Sequence, residues 1–156
     1  MKTTRHILPA TAGNQDHGSR VANTIFLLIA VVGIVRSCIH LFSPDGGAGS
    51  IAGLDVTVAG GDAIIFAFAL WGGAQLLLAI VQVIVYFRYK NLIPFMYILL
   101  IAEIFTRVLA GWLHPVTFSH VPPGAIANYV LLAVAAAMLL LILASARHSR
   151  QPGLQG

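Results

Sequence analysis

The chain has 156 residues, of which 58% are hydrophobic and only 9% charged, and its formal net charge is +4 at pH 7. A soluble domain carries about 25% charged residues, so an ordinary water-soluble enzyme, a nucleic-acid binder and a disordered tail are all excluded. The single Cys38 excludes an internal disulfide framework and a cysteine-based zinc site.

A membrane-spanning helix needs about 20 mostly apolar residues. Four segments meet that length: Val21 to Phe42, Ala63 to Tyr86, Leu92 to Trp112 and Ala125 to Ala146. Residues 1–20 form a polar tail before them, and residues 147–156 another after them. The first connection, Ser43 to Asp62, is glycine-rich and contains Pro44. The second, Phe87 to Asn91, is a tight turn, with Asn91 as the expected N-cap and Pro94 tolerated in the first helical turn. The third, His114 to Gly124, carries Pro115, Pro122 and Pro123, which end one helix and begin the next. The expected fold is all-α: a polytopic, antiparallel four-helix membrane bundle.

Basic residues in short loops mark the cytoplasmic side. Lys2, Arg5 and Arg20 lie in the first tail, Arg88 and Lys90 in the second connection, Arg147 and Arg150 in the last tail. The first and third connections hold neither Lys nor Arg. Both termini are therefore expected in the cytoplasm, with the chain crossing a bacterial inner membrane several times. The basic balance reads as topology and implies no nucleic-acid partner. The run Val35-Arg36-Ser37-Cys38 looks like a lipoprotein cleavage box, but Arg36 stands where that box wants a small or apolar residue. Cys38 then reads as a free thiol in the membrane.

Charges inside a span are expensive and point to function. The third span carries Glu103 and Arg107, then Gly111 and His114, within an arc of roughly 80° on one helix face. Glu103 precedes Arg107 at the favoured i,i+4 spacing. The first span carries Arg36 and His40, also four apart, and Asp62 stands at the mouth of the second. At 1.5 Å per residue, both arginines lie roughly 10 Å below the outer ends of their helices. The expectation is one polar pocket in the outer half, lined by Arg36, His40, Glu103, Arg107 and His114, with Asp62 at its rim. The same charges could instead tie two helices together without any ligand. Two arginines against one glutamate leave one positive charge over, which favours an anionic or lipid-like ligand.

Other features have plainer readings. His40 and His114 suggest haem only weakly, without a second pair or a Cys-x-x-Cys-His site. The run Asp45-Gly46-Gly47-Ala48-Gly49-Ser50 lacks the Gly-Lys-Ser/Thr of a Walker motif. It reads as a tightly turned loop or an anion nest. Ala69, Gly72, Gly73 and Ala79 in the second span, and Ala133, Ala136, Ala137 and Ala144 in the fourth, read as close-packing positions. Trp112 and Tyr129 fit an outer aromatic belt, and Tyr86, Tyr89 and Tyr97 an inner one.

The segments Gly46 to Asp55, Ala69 to Leu78 and Arg88 to Glu103, with Arg107, resemble small bacterial four-helix membrane proteins of no assigned activity. In helix count and size the layout is also similar to the DoxX-like group. That resemblance implies an association with quinol oxidases in some members, and no site residue carries over from it. Three functions stay open. One is binding a lipid-like or anionic ligand, or serving as accessory subunit of a membrane complex. The second is redox work on quinone or haem. The third is transport by a homo-oligomer. No complete catalytic constellation accompanies the buried charges.

Overall fold

A computed structural model describes residues 7–15 and 19–148, and its long elements are all helical. Helix α1 spans Arg20–Phe42, α2 Gly61–Arg88, α3 Ile93–Leu113 and α4 Pro123–His148, with a 3-10 turn at Lys90–Leu92. All four helices are long and apolar enough to cross a membrane. Their bounds fall within two residues of the spans read from the sequence.

Local chemistry sets the ends. Ser19 caps α1 by accepting a hydrogen bond from the Val21 amide at 3.2 Å. Pro94 sits in the first turn of α3, where its missing N–H leaves no helical bond unmade. Asn91 does not cap that helix as expected, since α3 has no side-chain cap. Its amide side chain instead accepts from the Gly13 amide at 2.9 Å and donates to the Thr11 carbonyl at 2.8 Å. The Asn91 side chain thus ties the segment before α1 onto the α2–α3 turn.

The apolar core gathers at the end of the molecule that carries this short turn. Ala22 and Phe26 of α1, Val85 of α2, five residues of α3 from Ile93 to Ile104, and Ala135 and Ile142 of α4 make one buried cluster. Tyr97 lies at its centre with no exposed surface, edge-on to Phe26 at 5.5 Å, its hydroxyl donating to the Ala22 carbonyl at 2.7 Å. It is therefore a core residue and not part of an aromatic belt. A buried phenol needs such an acceptor, because an unmatched hydroxyl costs about 1–3 kcal/mol. Trp112 and Tyr129 are exposed, as belt residues should be.

Helices α1 and α2 pack antiparallel and very closely. Gly33 faces Ala79, and Gly72 lies under the backbone of His40 and Leu41. A Cβ on Gly72 would stand 2.7 Å from the His40 Cβ and 2.9 Å from the Leu41 nitrogen. Small residues permit such an approach, which brings van der Waals contact without a solvent-driven term. In α4 the buried small residue is Ala135, whereas Ala133, Ala137 and Ala144, expected in packing, are exposed and Ala136 is half-buried. Gly72→Ala is expected to lower stability by about 1–3 kcal/mol through forced separation of α1 and α2. Gly111→Ala, whose added Cβ meets nothing within 4 Å, is expected to be neutral or stabilising. Thermal unfolding followed by circular dichroism in detergent checks both.

Candidate functional site

The pairing of α1 with α2 brings Arg36 opposite Gln75, and the Arg36 Nη2 donates to the Gln75 Oε1 at 3.4 Å. The other end of the same amide continues the chain, Gln75 Nε2 donating to Glu103 Oε1 at 2.5 Å. Glu103 in turn receives Arg107 from one turn further along α3. Arg107 Nε donates to Oε1 at 3.0 Å, and Nη2 donates to Oε2 at 2.5 Å. This two-pronged geometry is the strong form of an arginine–carboxylate pair. Arg107 Nη1 then donates to Asn128 Oδ1 on α4 at 2.9 Å. One polar chain, Arg36–Gln75–Glu103–Arg107–Asn128, therefore runs through all four helices.

Trp71, one turn before Gln75 on α2, supplies the wall of this chain. The Arg36 guanidinium carbon lies 4.9 Å from the centre of its indole, and that of Arg107 lies 6.0 Å away. The negative face of an indole attracts a cation by about 0.5–2 kcal/mol, more when water is excluded. His40 stacks at 5.0 Å on the same ring and at 5.9 Å on Phe68.

The charge arithmetic decides the character of the site. Glu103 accepts three hydrogen bonds, two of them from Arg107. Arg107 engages three of its five donors, counting Asn128. Arg36 engages one of five, weakly, and has no carboxylate partner among the described residues. Both members of the Glu103–Arg107 pair are mostly buried, at 19% and 18% exposure. The site thus keeps a net positive charge at its α1 end.

Of the residues singled out in the sequence, Arg36, Glu103 and Arg107 meet here. His40 lies beside them, joined through Trp71, and its Nδ1 donates to the Gly46 carbonyl at 2.8 Å. His114 does not join: it is the exposed residue closing α3, with no side-chain hydrogen bond or ring contact among the described residues. Asp62 does not join either. It is exposed in the first turn of α2, and the only ion pair among the described residues is Glu103–Arg107. Asp62 is too far up α2 to neutralise Arg36, roughly two and a half turns short of Trp71. His40 and His114 accordingly form no facing pair.

Gln75, Trp71 and Asn128 were not among the expected site residues. Gln75 carried a signal, being a polar residue on the packed stripe with Gly72 and Ala79. Trp71 carried another, one turn from Gln75 at the spacing that puts both on one face. Asn128 shows only as a lone amide in an apolar span.

The connection between α1 and α2 closes over His40. Gly46, with φ 60°, and Gly47, with φ 70°, adopt a left-handed backbone that brings Gly47 against the imidazole. The Asp45 carboxylate accepts from the Gly47 amide at 2.8 Å and the Ser50 amide at 2.6 Å. The loop amides are therefore used internally, and the run is a tight turn instead of an anion nest. This loop also meets the α3–α4 connection. Ser119 donates its amide to the Gly53 carbonyl at 3.0 Å, and His120 Nε2 donates to the Ile51 carbonyl at 3.2 Å. An open cleft of about 310 Å³ lies between the two loops, lined by Gly49, Leu54, Asp55, Thr117 and Phe118 among others.

No protein-family model matches the chain, and no curated protein or solved structure shows significant similarity to it.

The Asp45 carboxyl is held down at about 2, from an ordinary 3.8, first by the Ser50 amide and next by the Gly47 amide. A depressed carboxyl pKa stabilises the folded loop above the ordinary value, and that contribution fades as pH falls through the folded one. The loop is expected to stay closed from neutral pH to about 4 and to loosen as pH approaches 2. The Gly47 and Ser50 amide resonances in micelles should then titrate near 2, and a midpoint near 4 would contradict the turn.

Proposed function

We propose that this chain is a multi-pass membrane protein that binds an anionic group at Arg36. The four apolar helices support the membrane reading. In this reading they form an antiparallel bundle with both termini cytoplasmic, because the basic residues gather at the tails and at the α2–α3 turn. The apolar core then lies in the cytoplasmic half, and the polar chain lies above it, facing the outer leaflet. Arg36 and Arg107 each stand six residues from the ends of their helices, roughly 9 Å along the axis.

The observation that carries the functional reading is the donor count at Arg36. A guanidinium in a span is retained at a cost of about 2.5–3.5 kcal/mol on insertion scales. Glu103 is already committed to Arg107, so it offsets little of the Arg36 charge. An oxyanion accepted by the open donors would complete the charge balance, and the planar fork suits carboxylate or phosphate. The surrounding wall of Trp71 and Gln75 holds the fork in place before any ligand arrives. The layout shared with DoxX-like proteins rests on helix count and size and adds no ligand to this reading.

Two measurements test it. In a Cys38→Ala background, Ala59→Cys should react with an impermeant thiol reagent applied from outside, and Lys90→Cys should not. The opposite pattern refutes the orientation. For the site, Trp112→Phe leaves Trp71 as the single tryptophan and so as reporter of Arg36. In phosphatidylcholine nanodiscs its emission should change saturably with inorganic phosphate in the buffer or phosphatidylglycerol in the bilayer. Arg36→Gln should weaken that response about tenfold or more, the equivalent of 1.4 kcal/mol or more, while Arg88→Gln leaves it unchanged. A response that survives Arg36→Gln, or none to either anion, refutes the site.

A further inference from the structure

The outer end of α3 has an unusual exposure pattern. Every residue from Val108 to Leu113 is exposed. At 100° per residue, six consecutive positions sample every face of the helix. Among the described residues, no neighbour buries any side of this last turn and a half, and Trp112 keeps 78% of its surface exposed. The next residues, through Val121, are exposed as well. The α1–α2 pair, by contrast, stays tightly closed up to His40 and Gly72.

The end of α3 is therefore open just beyond the polar chain. Ala110 and Gly111 lie three and four residues beyond Arg107, on its face of the helix. A Cβ placed on Gly111 meets nothing within 4 Å, so this face of α3 is open one turn beyond Arg107. On the water side Gly46, Gly47 and Ala48 are buried, Gly46 against Phe68 and Ala69 of α2 and Gly47 against His40, and the hydrogen bonds Ser119–Gly53 and His120–Ile51 tie the two outer loops together. The way in lies sideways, at the depth of the outer leaflet.

We infer that the anion bound at Arg36 is the phosphate head of a membrane amphiphile, which enters laterally between α3 and the α1–α2 pair. This rests on the anion site proposed above and names its occupant. Charge complementarity selects the head: among the described residues Arg36 leaves four N–H groups unengaged and Arg107 two more, and both guanidiniums border one indole. The path selects the tail. A ligand reached through a lipid-facing gap lined by Ala110 and Gly111 keeps an acyl chain in hydrocarbon, which each buried methylene favours by about 0.8 kcal/mol. A small hydrated anion has to cross the loop cover or the hydrocarbon instead.

The experiment compares the two sources of phosphate in the Trp112→Phe protein. Phosphatidylglycerol in phosphatidylcholine nanodiscs should give a saturable Trp71 response, and inorganic phosphate in the buffer a response at least about tenfold weaker in affinity. Gly111→Phe, which fills the gap without touching Arg36, should weaken the lipid response about tenfold and leave the inorganic phosphate response unchanged. Because Gly111 is exposed, this variant should fold, and circular dichroism verifies it. If inorganic phosphate equals or exceeds the lipid, the lateral ligand is refuted while the anion site at Arg36 stands. If Gly111→Phe is without effect on the lipid, the entry path is refuted with the same proviso. If Gly111→Phe converts a dimer to a monomer in native mass spectrometry, a second copy fills the gap and the lipid inference falls. If neither anion gives an Arg36-dependent response, the site itself falls.

Discussion

Glu103 is the residue on which the arrangement of the four helices turns. It is one carboxylate facing two guanidiniums in an apolar setting, and it cannot pair fully with both. The i,i+4 geometry within α3 settles the competition in favour of Arg107, whose two prongs reach both carboxylate oxygens. What remains of the carboxylate is taken by the Gln75 amide. The orientation of that amide follows: its nitrogen must face Glu103, so its oxygen must face α1, where Arg36 is the available donor. Arg107 reaches the other way, to Asn128 on α4. A helix-to-helix register is thereby set by a polar chain whose direction is dictated by a single acid. Removing one partner from such a chain leaves a charge in a poor solvent, at about 3–5 kcal/mol for fully buried pairs.

That chain can form only because α1 and α2 approach so closely. Gly72 lets the backbone of His40 sit against α2, and Gly33 meets Ala79 about two turns below. Between these contacts Arg36 and Gln75 are brought within reach, and Trp71 is laid alongside the guanidinium. The apolar core at the opposite end performs a separate task. Phe26, Tyr97, Ile104 and Ile142 join α1, α3 and α4 there, and the outer end of α3 stays exposed. The molecule is held together at one end and left open at the other.

Much of this was legible in the sequence, for identifiable reasons. Long apolar runs separated by Gly and Pro gave the four helices to within two residues, because hydropathy and breakers act locally. Glu103 and Arg107 were legible because both lie on one helix at a fixed spacing. Arg36 stood out because a charge in a span has few explanations. Asp62 and His114 lie apart from the chain for a shared reason. Helices of equal apolar length need not end at one level: α2 extends well beyond α1, and the last residues of α3 are exposed. Trp71 and Asn128 are another matter, since their roles depend on which face of one helix meets another. Asn91 and Tyr97 were misassigned because a cap and a belt are local rules, and long-range partners, Thr11 and Gly13 in one case and Ala22 in the other, overrode them.

The remaining asymmetry lies between the two arginines, and it bears on why Arg36 is an arginine at all. A structural tie to Gln75 needs only one donor, which a neutral amide or hydroxyl would supply without the penalty of a charge in hydrocarbon. Packing against Trp71 needs only an apolar or aromatic side chain. The indole does favour a cation, by about 0.5–2 kcal/mol, but the two contacts together recover only part of the guanidinium's lost hydration. Ser37, the neighbour of Arg36, shows that this helix tolerates an unmatched polar group: its buried hydroxyl has no hydrogen-bond partner among the described residues. An unmatched hydroxyl is a modest cost, about 1–3 kcal/mol, whereas a cation with four idle donors is a standing one. Such a residue is explained when the donors are filled in the working state. In the function proposed above, the open face of α3 beyond Arg107 is where the oxygens of an anionic head would arrive.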